Sequence, residues 1–395
     1  MNTLKFGNGE WYGKKDTILA YNDLNSNFKP LPFSFDRASS ATVINKDGLI
    51  ETVGSGEPRV DYKDDSKGAL LLEPTRSNNI TYSTDFLDSS WLPTGLTVSG
   101  GVISLDGTAN AFTISNTAPS GIIQKAVSLT GLRTVSIFAK KDTHRYLRLG
   151  AYGGTNSYAN FDLENGVVSD GANAEIVDYG NGWYRCICHS ADGNTGGVQI
   201  FPSNNSVGAA TTNGSIKIYA PQLESGSYAT SIIPTQGGAV TRVAETCSQT
   251  PPSGIIGQTE GTMFLDFNID DISLQTQDPV LMYLKNSSGI TSYFEMYDNG
   301  NFVVVHINSG SITLTKNGLT DGRHKAAFAY KDNDFAFYVD GTLAGTNTNF
   351  TVASSQTEVG MQYTSPLYTG KQSVNDMKLY NTRLSNSELQ ALTTL

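Results

Sequence analysis

The chain has 395 residues, with 27 Lys and Arg against 37 Asp and Glu and a formal net charge of -10. Its length exceeds one ordinary β-sandwich and fits two or three domains, and with no run of basic residues to displace counterions from phosphates, nucleic acid is excluded as a partner. Charged residues make up only 16% of the chain while Gly numbers 40, a balance that favours short strands joined by polar turns over helices.

The opening Met1-Asn2-Thr3-Leu4-Lys5-Phe6 lacks the basic, apolar and small-residue succession of a secretion signal, and no segment of about 20 apolar residues occurs. Neither a signal peptide nor membrane insertion is expected. Residues 1–75 scatter aromatics and prolines through Phe28-Lys29-Pro30-Leu31-Pro32-Phe33 and charges through Asp61-Tyr62-Lys63-Asp64-Asp65. This texture reads as an irregular N-terminal attachment region, with edge strands for the adjoining sandwich as the alternative.

Residues 76–245 carry strand periodicity. In Thr134-Val135-Ser136-Ile137-Phe138-Ala139-Lys140, Val135, Ile137 and Ala139 alternate with polar residues, and Phe138 breaks the polar face. Cys186 and Cys188, two apart on a strand, project to one face, where an i, i+2 bridge would be strained, while His189 points the other way; buried free thiols are expected rather than a zinc site. Residues 246–257, with Pro251-Pro252-Ser253-Gly254, read as a linker, and Cys247 stands in it.

Residues 258–395 form a second strand-rich module. Phe302-Val303-Val304-Val305 reads as a strand buried on both faces, and Asn299-Gly300 and Asp340-Gly341 as two-residue hairpin turns. Ser385 and Glu388 compose a capping box ahead of a short C-terminal helix with Leu384, Leu389 and Leu392 on one stripe. The fold class is therefore all-β, a tandem of antiparallel β-sandwiches followed by a short helix.

Chemistry is searched for with mostly negative results. Asp266 with Asp270-Asp271, and Asp332 with Asp334, lack the alternating carboxylates of a glycosidase on such a fold, and the second pair reads as a turn. The four histidines are far apart, and no nucleophile elbow, metal helix or phosphate loop occurs. No catalytic residue and no metal ligand is assigned, and no cofactor is expected; a structural calcium ion would suit either sandwich, but no spaced acidic loop identifies one. Sugar binding needs only exposed aromatics and a few amides. Tyr152, Tyr158 and Trp183 in the middle module and Tyr293, Tyr297, Tyr363 and Tyr368 in the last are the glycan-binding candidates, set against an ordinary packing role for each.

A resemblance adds to this reading. Phe33-Ser34-Phe35-Asp36-Arg37-Ala38-Ser39-Ser40-Ala41-Thr42, Asp47-Gly48-Leu49-Ile50, Pro58-Arg59-Val60-Asp61-Tyr62 and Leu71-Leu72-Glu73-Pro74-Thr75-Arg76-Ser77-Asn78, in that order, resemble the opening of a phage tail-fibre and virion structural protein family. Gly180-Asn181-Gly182-Trp183-Tyr184-Arg185 and Gln222-Leu223-Glu224-Ser225-Gly226-Ser227-Tyr228-Ala229-Thr230-Ser231 are similar to its carbohydrate-binding-like jelly roll. Tyr338-Val339-Asp340-Gly341 and Leu379-Tyr380-Asn381-Thr382-Arg383-Leu384-Ser385 resemble a concanavalin A-like, laminin-G-like sandwich.

The resemblance implies a virion component located on the phage particle or tail, attached to other virion proteins through residues 1–75. It also implies a homo-oligomer, a trimer by preference, that touches a bacterial surface glycan without catalysis. A decoration or cement protein of the capsid or tail is the first alternative. A polysaccharide depolymerase, lyase or glycosidase, is the second.

Overall fold

The computed structural model describes residues 3–23, 29–152, 157–190, 194–251, 254–270, 272, 278–297, 300–363 and 370–395. The chain folds into two compact units: one comprises Met1–Lys46, Val53–Thr75 and Val243–Leu395, the other Asp47–Thr52 and Arg76–Arg242. In sequence, the second unit is thus an insertion within the first. We call them the inserted and the split unit.

The inserted unit is an antiparallel sandwich of two six-stranded sheets. One sheet runs in the order Leu92–Thr94, Ile122–Thr130, Asn194–Ser203, Tyr146–Tyr152, Ser157–Asp162, Val167–Asp170. The other runs Leu96–Val102, Ala111–Asn116, Ser215–Ser225, Arg133–Lys141, Trp183–Ser190, Ala174–Asp178. Strict alternation fills the space between them. Val135, Ile137 and Ala139 face Leu147, Leu149, Phe161, Val198 and Ile200 in one buried cluster, which Cys186 and Cys188 join as free thiols. Phe138, the residue that breaks the polar face, is buried on the other side of its strand, edge-on to Tyr179 with ring centroids 4.8 Å apart and beneath the Arg185 guanidinium. The unit's ends pair with each other, Arg76–Asn78 lying antiparallel to Val240–Arg242.

The split unit is a continuous 17-stranded antiparallel ladder wrapped around one large core, with a smaller cluster under the C-terminal helix. Here the architecture differs from the expected 1–75, 76–245, 246–257 and 258–395 division. Residues 1–75 supply regular strands rather than an irregular region. Thr3–Gly7 pairs with the last strand, Gln372–Tyr380, from Thr3 opposite Tyr380 to Gly7 opposite Asp376. Ala69–Leu72 pairs with the beginning of that same strand, and Lys29–Asp36 bridges Thr17–Asn22 and Thr246–Gln249.

The reason is a period-2 pattern: Leu4, Phe6, Ile18, Ala20, Phe33 and Phe35 all enter the core shared with Leu265, Phe267, Met377 and Leu379. Pro30 and Pro32 disguise the strand, yet both stand on its exposed half, where it is paired only with Thr17–Asn22. A missing N–H is harmless on such an edge. The expected linker likewise begins as a strand, and Cys247, opposite Phe35 and Met361, is fully buried.

Local expectations hold elsewhere. Asp340 and Gly341 take φ of 48° and 71° and close the hairpin between Phe335–Val339 and Thr342–Asn347. The helix Asn386–Thr393 begins at Ser385, whose backbone N–H donates to Glu388 Oε2 at 2.7 Å, and Leu384 and Leu389 bury against Phe264 and Tyr338. Phe302–Ile307 is buried on both faces through Val305.

Candidate functional site: an aromatic and amide platform on the inserted unit

The strand Tyr146–Tyr152 sends Leu147, Leu149 and Ala151 inward, so alternation places Tyr146, Arg148, Gly150 and Tyr152 on the outer face of their sheet. Gly150 is in register with Tyr158 on one neighbouring strand and with Gln199 on the other, and Gln199 is in turn opposite Gln124. With no side chain at Gly150 to intervene, Tyr158 spans the strand and its hydroxyl donates to Gln199 Oε1. Gln199 Nε2 then donates to Gln124 Oε1 at 2.8 Å. One row across four strands is therefore a single hydrogen-bonded line.

The next row holds Phe201, Arg148 and Asn160 in register. The Arg148 guanidinium lies 4.5 Å from the Tyr158 ring centroid, and its Nη1 donates to Asn160 Oδ1 at 3.0 Å. Asn160 is fully buried and is anchored by its own amide, which donates to the Asn205 and Gly208 carbonyls at 3.2 and 2.7 Å. Phe201 meets Tyr158 edge to face at 6.1 Å. On the opposite flank, Tyr152 rests against the backbone of Gly196 and Gly197: a Cβ built at Gly197 would lie 2.8 Å from the Tyr152 ring and 2.0 Å from the Lys125 carbonyl oxygen. Tyr146, Arg148, Tyr152, Tyr158, Gln199 and Phe201 are each half-exposed. Burial raises the Tyr158 phenol above its ordinary value and the Arg148 charge opposes that shift, so the phenol is neutral and available as a hydrogen-bond partner at neutral pH.

Two of the seven tyrosine and tryptophan candidates, Tyr152 and Tyr158, thus meet on one surface. Trp183 does not join them: it belongs to the other sheet of the unit, opposite Lys140, and is 4% exposed. The split unit assembles a different group. Tyr293 is in register with Tyr283 and Val305, Tyr363 packs edge-on against Tyr283 at 5.5 Å, and Tyr297 hydrogen-bonds Glu295. Tyr283 lies over Gly360 to reach Glu358 Oε1 at 2.9 Å, so this cluster is closed by its own ion pair, Glu358 with Lys285 at 3.4 Å. Tyr368 lies outside the described residues. Arg148, Gln199 and Gln124 escape a search for aromatics, and Phe201 one confined to tyrosine and tryptophan; the alternation of Tyr146-Leu147-Arg148-Leu149-Gly150-Ala151-Tyr152 is the signal that places the arginine beside the tyrosines.

The motif residues of the sequence lie elsewhere and hold the fold. In the split unit Arg37, Arg59, Glu73 and Glu245 are all fully buried. Glu245 accepts from Arg37 at 3.0 Å, from two nitrogens of Arg59 at 2.6 Å each, and from the Glu73 backbone N–H at 2.8 Å; Arg59 also donates to Glu73 Oε2 at 2.7 Å. Burial opposes the Arg59 charge, and the two carboxylates more than restore it, raising its pKa. In the inserted unit Gln222 Oε1 accepts from the Ile233 N–H at 2.6 Å and Glu224 from the Thr230 N–H at 3.1 Å. Asp266 is held bidentately by Arg323, Asp332 accepts from the Val352 N–H, and Asp334 pairs with Arg383. Among the described residues no group of three His, Cys, Asp or Glu side chains converges as a metal site, and no helix is long and apolar enough to cross a membrane.

The chain is thus an all-β protein of two antiparallel sandwiches, one inserted in the sequence of the other. No family model matches it, and no curated protein matches its sequence. Solved structures similar to parts of it include the CBM40 module of the Ruminococcus gnavus IT-sialidase bound to sialyllactose (15% identity, 35% of this chain and 84% of that chain, TM-score 0.29). Domain 4 of AbnA, a GH43 extracellular arabinanase from Geobacillus stearothermophilus, in complex with arabinotriose, is another (14%, 42% and 82%, TM-score 0.30). The botulinum neurotoxin type G receptor-binding domain is a third (7%, 37% and 38%, TM-score 0.31).

Proposed function

We propose that this protein is a non-catalytic, glycan-recognising component of a phage virion, a tail fibre or related appendage, acting as a homo-oligomer with a trimer favoured. The observation that carries the glycan reading is the row Tyr158, Gln199 and Gln124 beside Phe201 and Tyr152: half-exposed rings to meet the apolar face of a pyranose, and amides held at fixed spacing to meet its hydroxyls. The platform stands on strands rather than loops, so its geometry exists before ligand arrives and little ordering entropy is lost on binding. Weak single-site affinity suffices in an oligomer, because linked sites raise the effective concentration. The virion reading rests on the sequence resemblance. It is supported by what those motifs do: Arg37, Arg59 and Glu73 come from three separate motif segments and meet in one buried charge cluster, so the motifs describe one construction rather than scattered similarity.

The test joins light scattering with binding. The full chain should have the solution mass of a trimer and should bind members of an immobilised bacterial surface-polysaccharide panel, with Tyr158→Ala abolishing binding while leaving the thermal midpoint within a few degrees. A monomer that binds no member overturns the reading. Its peptides should also co-sediment with phage particles from an induced lysate of the source strain; recovery only in the soluble fraction overturns the virion assignment.

A further inference from the structure

We propose that the glycan bound by this platform is acidic, and that Arg148 reads a sugar carboxylate. The inference rests on the glycan reading above and adds the chemical class of the ligand. Several arginines of this chain are held by carboxylates: Arg145, three residues away, by Asp162 and Glu164, Arg323 by Asp65 and Asp266, Arg383 by Asp334. Arg148 makes no ion pair among the described residues, although the chain carries an excess of ten acidic groups. Asp162, the carboxylate two positions along the adjoining strand, is committed to Arg145, and Asp170, in register with Asn160 on the edge strand, makes no ion pair with Arg148.

The arginine is unpaired but not free to wander. One side of the guanidinium is set by the Tyr158 ring and Nη1 by the buried Asn160, whose own position is fixed by two backbone carbonyls. The edge formed by Nε and Nη2 has no acceptor among the described residues. That edge is the planar, two-donor fork that matches a carboxylate bidentately. Because it is positioned beside the half-exposed rings and amides of the same platform, a sugar whose ring contacts Tyr158 or Phe201 would carry a carboxyl group within reach of Arg148. Uronic acids and sialic-type acids both supply that chemistry. A bidentate contact to a charged group strengthens binding by about tenfold or more.

The experiment uses the full chain and a panel of immobilised bacterial surface polysaccharides, each in its native form and after carboxyl reduction, which turns a uronate into the neutral sugar of the same backbone. Native acidic members should bind, and reduction should lower binding at least tenfold. Arg148→Gln should lower binding to the native form by the same factor, so that native and reduced glycan bind the variant alike, and Arg148→Lys should recover little, since an ammonium lacks the fork. Binding that survives reduction but is lost in Tyr158→Ala overturns the acidic assignment and keeps the glycan reading. Binding to no member in either form overturns both. If Arg148→Gln does not fold, as judged by circular dichroism, the comparison of native and reduced glycan on the unaltered protein decides the matter alone.

Discussion

Replacing Glu245 by alanine tests the buried charge cluster of the split unit. As it stands, two arginines face two glutamates, all four fully buried, so the cluster is neutral. Glu245→Ala removes the acceptor of three guanidinium donors and of the Glu73 N–H, leaving one uncompensated positive charge in the interior. Arg59 keeps Glu73, whereas Arg37 keeps neutral carbonyl acceptors, those of Ser39 and Gly54 among them. Breaking a buried pair in this way costs about 3–5 kcal/mol, far more than an intact pair contributes over an apolar replacement. With a urea dependence of about 2–3 kcal/mol per molar for a unit of this size, the midpoint should fall by about 1–2 M.

Hydrogen exchange read by mass spectrometry during a urea titration reports the two units separately. Ala69–Leu72 and Thr246–Gln249 should lose protection early, while Arg133–Lys141 and Trp183–Ser190 of the inserted unit should not move. The variant carrying both Glu245→Ala and Arg59→Met restores charge balance, with Arg37 against Glu73, and should be no less stable than Glu245→Ala alone. A midpoint shift under about 0.3 M, or equal loss in both units, would refute the reasoning.

Four further outcomes follow from the same structure. Gly197 has φ of 154° and no room for a Cβ beside the Lys125 carbonyl and the Tyr152 ring; Gly197→Ala should destabilise the inserted unit by about 2 kcal/mol and weaken glycan binding, read by thermal melting and the polysaccharide panel. Burial pushes Cys188 up to about 12 and raises Cys186 as well, and all three cysteines are buried, so a thiol reagent at pH 8 should label none in the native protein and all three in concentrated guanidinium. Glu295 is pushed up to about 7, chiefly by burial; its raised value means stability that is present below the ordinary 4.5 and lost as pH rises through 7, so Glu295→Gln should gain up to about 3 kcal/mol at pH 8 and nothing at pH 4.5. His306 works in the opposite sense. Burial lowers it from 6.5 to about 4, so its share of stability is complete above 6.5 and lost as pH falls toward 4, and urea midpoints measured from pH 4 to 8 on the unaltered protein and on Glu295→Gln separate the two.

What the sequence revealed and what it hid divide along physical lines. Strands whose partners lie nearby, such as Phe335–Val339 with its Asp340-Gly341 turn, are legible because alternation and turn chemistry are local. Thr3–Gly7 is legible only in part, because besides two residues of the nearby Thr17–Asn22 it pairs along its whole length with Gln372–Tyr380 at the far end of the chain: its apolar residues alternate correctly, but nothing local points to that distant strand. Prolines 30 and 32 disguise their strand for a related reason, since only the pairing shows that they stand where it has a neighbour on one side alone. The candidate site followed the same rule. Tyr152 and Tyr158 could be singled out by residue type, whereas Gln199 and Gln124 become partners only through a register across four strands. Trp183, equally attractive by type, is buried.

Both sandwiches solve one packing problem in the same way, and the proposed function rests on the difference between the two solutions. In each, a tyrosine crosses a glycine on the adjoining strand to reach a polar partner: Tyr158 crosses Gly150 to Gln199, and Tyr283 crosses Gly360 to Glu358. In the split unit the partner is charged and already neutralised by Lys285, the tyrosine is only 7% exposed, and the hydrogen-bonding capacity is consumed internally. On the inserted unit the partner is an uncharged amide, the rings stand half in water, and two nitrogens of the neighbouring cation, Nε and Nη2, have no acceptor among the described residues. A closed tyrosine cluster of the first kind stabilises a sheet face. An open one with a positioned guanidinium holds capacity that no described residue uses, and a ligand with hydroxyls, an apolar face and a negative charge is what would complete it.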